Sequence, residues 1–286
     1  MSAGILETDM SYKTILVHLD HRPRSSERLG LACSLAGEFD AHVVGLYAPG
    51  GSRLPSYAEA EAGPTLHELL EERRKQALQE AERRFREVTQ RNGGERTEWR
   101  TSQADPASAI RLSARYADLV VAGQPEAEDE GDLRGLADEL VFSAGRPVLF
   151  VPYAGRYPAL GKRVLVAWDS GREAARAVTD ALPFLRRATA VEVCAFDPEK
   201  SRRNHGAQPG ADVGLFLARH GVNVTITRQS GAGYDVGSQI LSRAADVGAD
   251  LIVMGAYGHA RVREMVLGGA TRTLLDAMTV PVLMSH

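Results

Sequence analysis

Short aliphatic runs alternate along the chain with stretches in which apolar residues return every three or four positions. The first pattern reads as buried strand and the second as helix. In the second half the alternation predicts strands over 163–168, 190–196, 222–228, 250–254 and 281–285. It predicts helices over 172–187, 211–220, 235–247 and 269–278. Val236, Ile240, Leu241, Ala244 and Val247 share one face of their helix, whereas Leu251-Ile252-Val253-Met254 is apolar on both sides, as in a strand covered by helices on both faces. No hairpin signal separates the strands, so the pattern predicts parallel strands joined by right-handed crossovers. The first half differs by an irregular segment, 49–63, followed by a long helix over about 64–91. Leu66, Leu69, Leu70, Ala77, Leu78, Ala81, Phe85 and Val88 form its predicted buried stripe. Its other face mixes Glu and Arg densely, which reads as a solvated face with i,i+4 pairs or as a docking surface.

The chain repeats itself. Lys13-Thr14-Ile15-Leu16-Val17-His18-Leu19-Asp20 matches Lys162-Arg163-Val164-Leu165-Val166-Ala167-Trp168-Asp169, and each run leads into an Ala/Arg-rich helix, Ser25 to Gly37 in the first copy. Ala117-Asp118-Leu119-Val120-Val121-Ala122-Gly123 matches Ala249-Asp250-Leu251-Ile252-Val253-Met254-Gly255. Arg146-Pro147-Val148-Leu149-Phe150-Val151 matches Val280-Pro281-Val282-Leu283-Met284-Ser285. Landmarks recurring in one order predict two tandem doubly wound α/β domains of five parallel strands each. The boundaries are 1–152 and 153–286, with the seam in the Pro-, Gly- and Tyr-punctuated stretch 152–161.

Composition changes this picture little. The chain has 286 residues, 44% hydrophobic and 25% charged, enough for a core in each half. A net charge of −3 gives no general pull towards nucleic acid or an anionic membrane. The segment 1–10 holds Glu7 and Asp9 and lacks a signal-length apolar core, and no apolar run approaches ~20 residues. The expectation is a soluble, cytoplasmic protein. Cys33 and Cys194 each lie in an apolar stretch; they are free buried thiols, or a disulfide joins the halves.

In an open parallel sheet, ligands bind beyond the carboxyl ends of the strands, where strand order reverses. Asp20 and Asp169 fall there, as do the loops after the fourth strands. The second of these loops reads Gly255-Ala256-Tyr257-Gly258, then 259–267, then Gly268-Gly269-Ala270-Thr271 at a helix start. Glycines admit close backbone approach, and the unpaired N–H groups of a helix start favour an anion. Thr271 or Thr273 would add a hydroxyl. A tight turn is the plain alternative, and the position between buried strand and helix favours binding.

Gly255-x2-Gly258-x9-Gly268 resembles the nucleotide signature of the universal stress protein family, G-x2-G-x9-G-[S/T]. The likeness extends over nearly the whole chain as two tandem copies, strong in the second and weaker in the first, and implies the fold of the adenine nucleotide alpha hydrolases. It implies roles by position. Ala167, Trp168 and Asp169 would contact adenine or ribose, and Ala195 would line the adenine slot. Met254 and Gly255 would flank the ribose. Gly258, Gly268, Gly269, Ala270 and Thr271 would hold phosphate. The implied ligand is ATP or another adenine nucleotide, with or without Mg, serving stress-related regulation. Gly269 stands where the signature has Ser or Thr, a lost hydroxyl worth about 0.5–1.5 kcal/mol. This implies weaker binding or a ligand with fewer phosphates.

In the first half, Glu126, Glu128, Asp129 and Glu130 cluster where phosphate would rest. They form a solvated acidic loop or a metal site, and the half reads as a copy that no longer binds nucleotide. Gly231-Ala232-Gly233-Tyr234-Asp235-Val236-Gly237 has the wrong spacing and place for a dinucleotide fingerprint and reads as a turn. His205 and His220 read as surface histidines. Function therefore lies among a nucleotide-binding regulator, an interaction module with a vestigial pocket or another small ligand, and at most a slow ATPase. The resemblance also implies that 148–151 and 282–284 meet as an intramolecular pseudo-dimer; whether two chains then associate as a homodimer is left open.

Overall fold

The computed structural model describes residues 11–50, 64–126, 133, 135–201, 208–231, 233–258 and 269–286. The first half runs β1 (Thr14–Leu19), α1 (Arg24–Phe39), β2 (His42–Tyr47), α2 (Pro64–Arg91), β3 (Thr97–Thr101), α3 (Pro106–Ala114), β4 (Leu119–Gly123), α4 (Leu136–Ser143) and β5 (Val148–Val151). The second runs β6 (Arg163–Trp168), α5 (Arg172–Asp180), α6 (Leu182–Leu185), β7 (Ala190–Phe196), α7 (Ala211–Arg219), β8 (Val224–Gln229), α8 (Val236–Asp246), β9 (Leu251–Gly255), α9 (Gly269–Ala277) and β10 (Val282–Ser285).

All pairings within a half are parallel, but the halves do not form separate sheets. β5 and β10 pair antiparallel, Leu149 opposite Leu283, so one ten-stranded sheet runs β3-β2-β1-β4-β5-β10-β9-β6-β7-β8. Each last strand would otherwise be a bare aliphatic edge, a template for aggregation. Pairing buries both, and Phe150 and Met284 are fully inaccessible.

Alternation along the strands divides the core into two layers. Ile15, Val17, Val121, Leu149, Val164, Val166, Val253 and Leu283 pack on one face with residues of α1, α2, α5 and α7. Leu16, Val44, Val120, Phe150, Leu165, Ile252 and Met284 pack on the other with residues of α3, α4, α8 and α9. Tyr12 and Phe39 from the first half meet Phe184 from the second, ring centroids 5.1–5.5 Å apart, so the first layer is continuous across the seam.

The repeated Ala-Asp-Leu motif has a structural role. Asp118 accepts the backbone N–H groups of Lys13 and Thr14, and Asp250 accepts those of Gly161, Lys162 and Arg163. Asp105 and Asp235 cap α3 and α8 alike, each accepting a backbone N–H three residues on.

Two expectations need correction. The helix expected over 172–187 breaks at Ala181, because Pro183 offers no N–H to continue the ladder. The stripe on α2 is buried only towards its carboxyl end: Ala81 and Phe85 are covered, but Leu66 and Leu69 are 42% and 50% exposed. The outer face carries i,i+4 pairs, Arg84 with Glu80 and Arg86 with Glu82. Both cysteines are free and buried, and burial pushes the Cys33 thiol up to about 11. Among the described residues no helix is long and apolar enough to cross a membrane. The segment 1–10 and most of 49–63 lie outside the described residues.

Candidate functional site

Strand order in the second half reverses between β6 and β9, and the loops after these strands meet there. Register places Ala167 opposite Met254 and Trp168 opposite Ala195. The period of two then separates them: Ala167 and Met254 belong to the layer under α8 and α9, while Trp168 packs on the opposite layer. Ala195 is buried. Residues adjacent in the expected adenine contact therefore lie on both faces of the sheet, and only Asp169, beyond the strand end, stands at the rim.

Asp169 turns back to accept the Gly171 N–H at 2.8 Å, starting α5. That helix begins hard against β9. A Cβ on Gly255 would sit 2.3 Å from the backbone nitrogen of Ala174, so this position admits only glycine without movement of α5. The next loop residues are held in turn. Ala256 donates to the Ser285 carbonyl. Tyr257 takes a left-handed φ of 60° and donates its N–H to the Thr271 hydroxyl at 3.3 Å. Its phenol donates to Asp138 of α4, and burial followed by that bond pushes its pKa well above the ordinary tyrosine value. Gly258 is exposed beyond it.

Thr271 is thus buried with its hydroxyl turned to Tyr257, and Thr273 donates to Asp235 at 3.2 Å. Gly269 opens α9 in the open, with no described atom within 4 Å of where a Cβ would lie, and Ala270 is half-buried beside it. Gly268 and the segment 259–267 lie outside the described residues.

Sequence reasoning passed over one rim residue, Glu173. It is 5% exposed, and its Oε2 would lie 3.1 Å from a Cβ on Gly258, with Asp169 Oδ2 at 3.4 Å from the same point. Two carboxylates therefore converge on the loop's second glycine. Burial alone would raise the Glu173 pKa, but Arg172, donating at 2.6 Å, reverses this and holds the carboxylate ionised. An acidic residue in the first turn of a helix complements the dipole, and it is in that general role that the sequence shows it. Among the described residues no group of three or more His, Cys, Asp or Glu is placed to hold a metal.

The first half builds the same rim and fills it. Arg28 donates to Asp20 at 2.9 Å, both nearly inaccessible, and Ser25 donates to the same carboxylate at 2.6 Å. Arg28 also presses on Gly123, where a Cβ would lie 2.3 Å from its Nη1. Its neighbour His18 donates Nε2–H to the Ala48 carbonyl, and burial, then Arg28, lowers its pKa to about 4. What is left, between these groups, Leu140 and Phe150, is a cavity of about 30 Å³, room for one water. Of the acidic loop, Glu126 pairs with Arg22 at 3.0 Å, and Glu128, Asp129 and Glu130 lie outside the described residues.

Gln124, read in the sequence only as the start of that loop, reaches across the seam. Its amide donates to the carbonyls of Leu275 and Asp276 in the last turn of α9. His220 turns its ring nitrogen to the Phe216 carbonyl, and His205 lies outside the described residues.

The sequence model of the Universal stress protein family matches residues 161–286. No curated protein matches the chain. Among solved structures, a universal stress protein from Archaeoglobus fulgidus DSM 4304 is similar with a TM-score of 0.69 and 16% identity, over 95% of this chain and 95% of that one. A protein of Pseudomonas aeruginosa PAO1, described as functionally unknown, is similar with a TM-score of 0.57 and 18% identity, over 96% of this chain and 92% of that one. Likeness at these identities is one of fold.

Proposed function

We propose that residues 161–286, the half matching the Universal stress protein family, hold an adenine nucleotide at the rim between β6 and β9 and serve as a regulatory module. The observation that carries this reading is the bond from Tyr257 N–H to the Thr271 hydroxyl, which joins the glycine loop and the open start of α9 in one rim. In it, base and ribose lie beyond the strand ends near Ala167, Asp169, Met254 and Gly255, while Trp168, on the opposite layer, and the buried Ala195 are left out. The phosphates lie towards Gly258, Gly268, Gly269 and Ala270, where a helix start supplies N–H groups and a favourable dipole. The role is binding rather than turnover.

Glu173 and Asp169 make the reading more specific. Their charges beside Gly258 disfavour a polyphosphate unless a cation intervenes, and two carboxylates with phosphate oxygens are a usual Mg²⁺ environment. The reading therefore favours AMP over ATP without Mg²⁺, with ATP recovering when Mg²⁺ is present. Calorimetric titration with AMP, ADP and ATP, with and without Mg²⁺, is the test. Absence of heat for all three would leave the second reading, an interaction module with a vestigial pocket. That reading draws on Glu173 and Asp169, whose carboxylates stand where an anion would sit.

A further inference from the structure

Both halves carry the same groove on the same face of the sheet, and one of them is filled. Register aligns them: Leu16 pairs with Val44, and Val44 with Glu98; Leu165 pairs with Glu192, and Glu192 with Thr225. The capping residues Asp105 and Asp235 align α3 with α8, which puts Ser113 where the second half has Arg243. In the second half Arg243 donates to Glu192 at 2.8 Å, and Thr227 donates to the same oxygen at 2.6 Å. These three side chains close the space between helix and edge strand.

The first half has Val44 in place of Glu192 and Ser113 in place of Arg243, and the plug is gone. Arg100, which stands where Thr227 does, turns to Glu98 with bonds of 2.6 and 2.9 Å. A groove of about 180 Å³ is left, about six water volumes at ~30 Å³ each. Leu16, Val44 and Ala117 are among its lining residues, as are Ser113, Glu98, Arg100, His42 and Tyr116. Tyr116 is 76% exposed, an aromatic ring left at the surface of a cavity.

We propose that this groove is a binding site for a small, planar, uncharged molecule whose edge carries a donor beside an acceptor, the chemistry of a primary aromatic amide. Tyr116 offers the exposed ring on which a planar ligand can stack, and Leu16, Val44 and Ala117, each under 5% exposed, form the closed floor beneath it. Glu98 and Arg100 neutralise each other, so a charged ligand has to break their paired bonds, whereas an amide can add to them and to the Ser113 hydroxyl. The site lies on the sheet face beside the carboxyl end of α3, apart from the nucleotide rim, and is independent of it.

Benzamide is the probe, titrated into the isotopically labelled full chain while backbone amide shifts are followed. The expected result is saturable millimolar binding with shifts confined to β1–β3 and the end of α3, and weaker binding of benzoate. Ser113→Arg, which restores the plug of the second half, should weaken benzamide by about tenfold or more. Tyr116→Ala, at an exposed position, should weaken it without changing the melting temperature. No saturable shift, equal affinity in both variants, or tighter binding of benzoate would each overturn the proposal.

Discussion

The ring of Tyr257 lies on the ring of Phe142, centroids 4.3 Å apart and planes within 19° of parallel. Tyr257 belongs to the glycine loop of the second half, and Phe142 to the last helix of the first. A left-handed non-glycine residue costs about 1–3 kcal/mol, and the stack and the bond to Asp138 offset that strain. Gln124 makes the reciprocal contact, capping α9 from the first half. Each half thus leans its ligand-side loop on the last helix of the other.

Phe142→Ala should lower unfolding free energy by about 1–2 kcal/mol, beyond what its half-exposed area alone would give. Urea denaturation reads this directly. A midpoint equal to that of the parent would mean the stack does not hold the loop.

Arg28→Met leaves the Asp20 carboxylate buried without its cation, and should cost about 3–5 kcal/mol. Adding Asp20→Asn to it should recover part of the loss, because the stranded charge is then gone. If the single and double variants are equally unstable, the ion pair is not what fills the first-half rim.

His18 makes stability depend on pH. Its folded pKa of about 4 lies below the ordinary histidine value, so the unfolded chain binds the proton more readily. The contribution is fully present above about pH 6.5 and is lost as pH falls towards 4, on the order of 3 kcal/mol. His18→Gln should flatten the denaturation midpoint across that window. A slope unchanged by the substitution would place the titration elsewhere.

Glu173→Gln removes one of the two charges beside Gly258. ATP without Mg²⁺ should then bind about tenfold more tightly, while AMP changes little. Calorimetry separates the two; an equal gain for both ligands would argue against a phosphate at that end of the rim.

Gly255→Ala drives a methyl into the backbone of α5, which cannot yield as a side chain would. A stability loss of about 1–3 kcal/mol is expected in thermal or urea unfolding. A neutral outcome would show that α5 does not seat on β9 as closely as the structure has it.

Much of this was legible along the chain. The two repeats, the strand–helix alternation and the span of α2 follow from local periodicity, which each segment carries in its own residues. Gly255 was marked by its spacing, and the structure gives it a second reason, the start of α5 pressed against it. The break at Ala181 was also there to be read, in Pro183.

Tertiary structure decided the rest. Nothing local distinguishes Arg28 from other helical arginines; only folding α1 beneath β4 brings it onto Asp20 and Gly123. Glu173 looks like any first-turn acid until the glycine loop arrives beside it. Gln124 reaches the end of α9, and Tyr257 reaches Phe142, only when β5 pairs with β10. Side-chain period depends on neighbours three or four residues away, but a charge pair or a ring stack depends on which distant segments the sheet sets side by side, and no run of residues states that by itself.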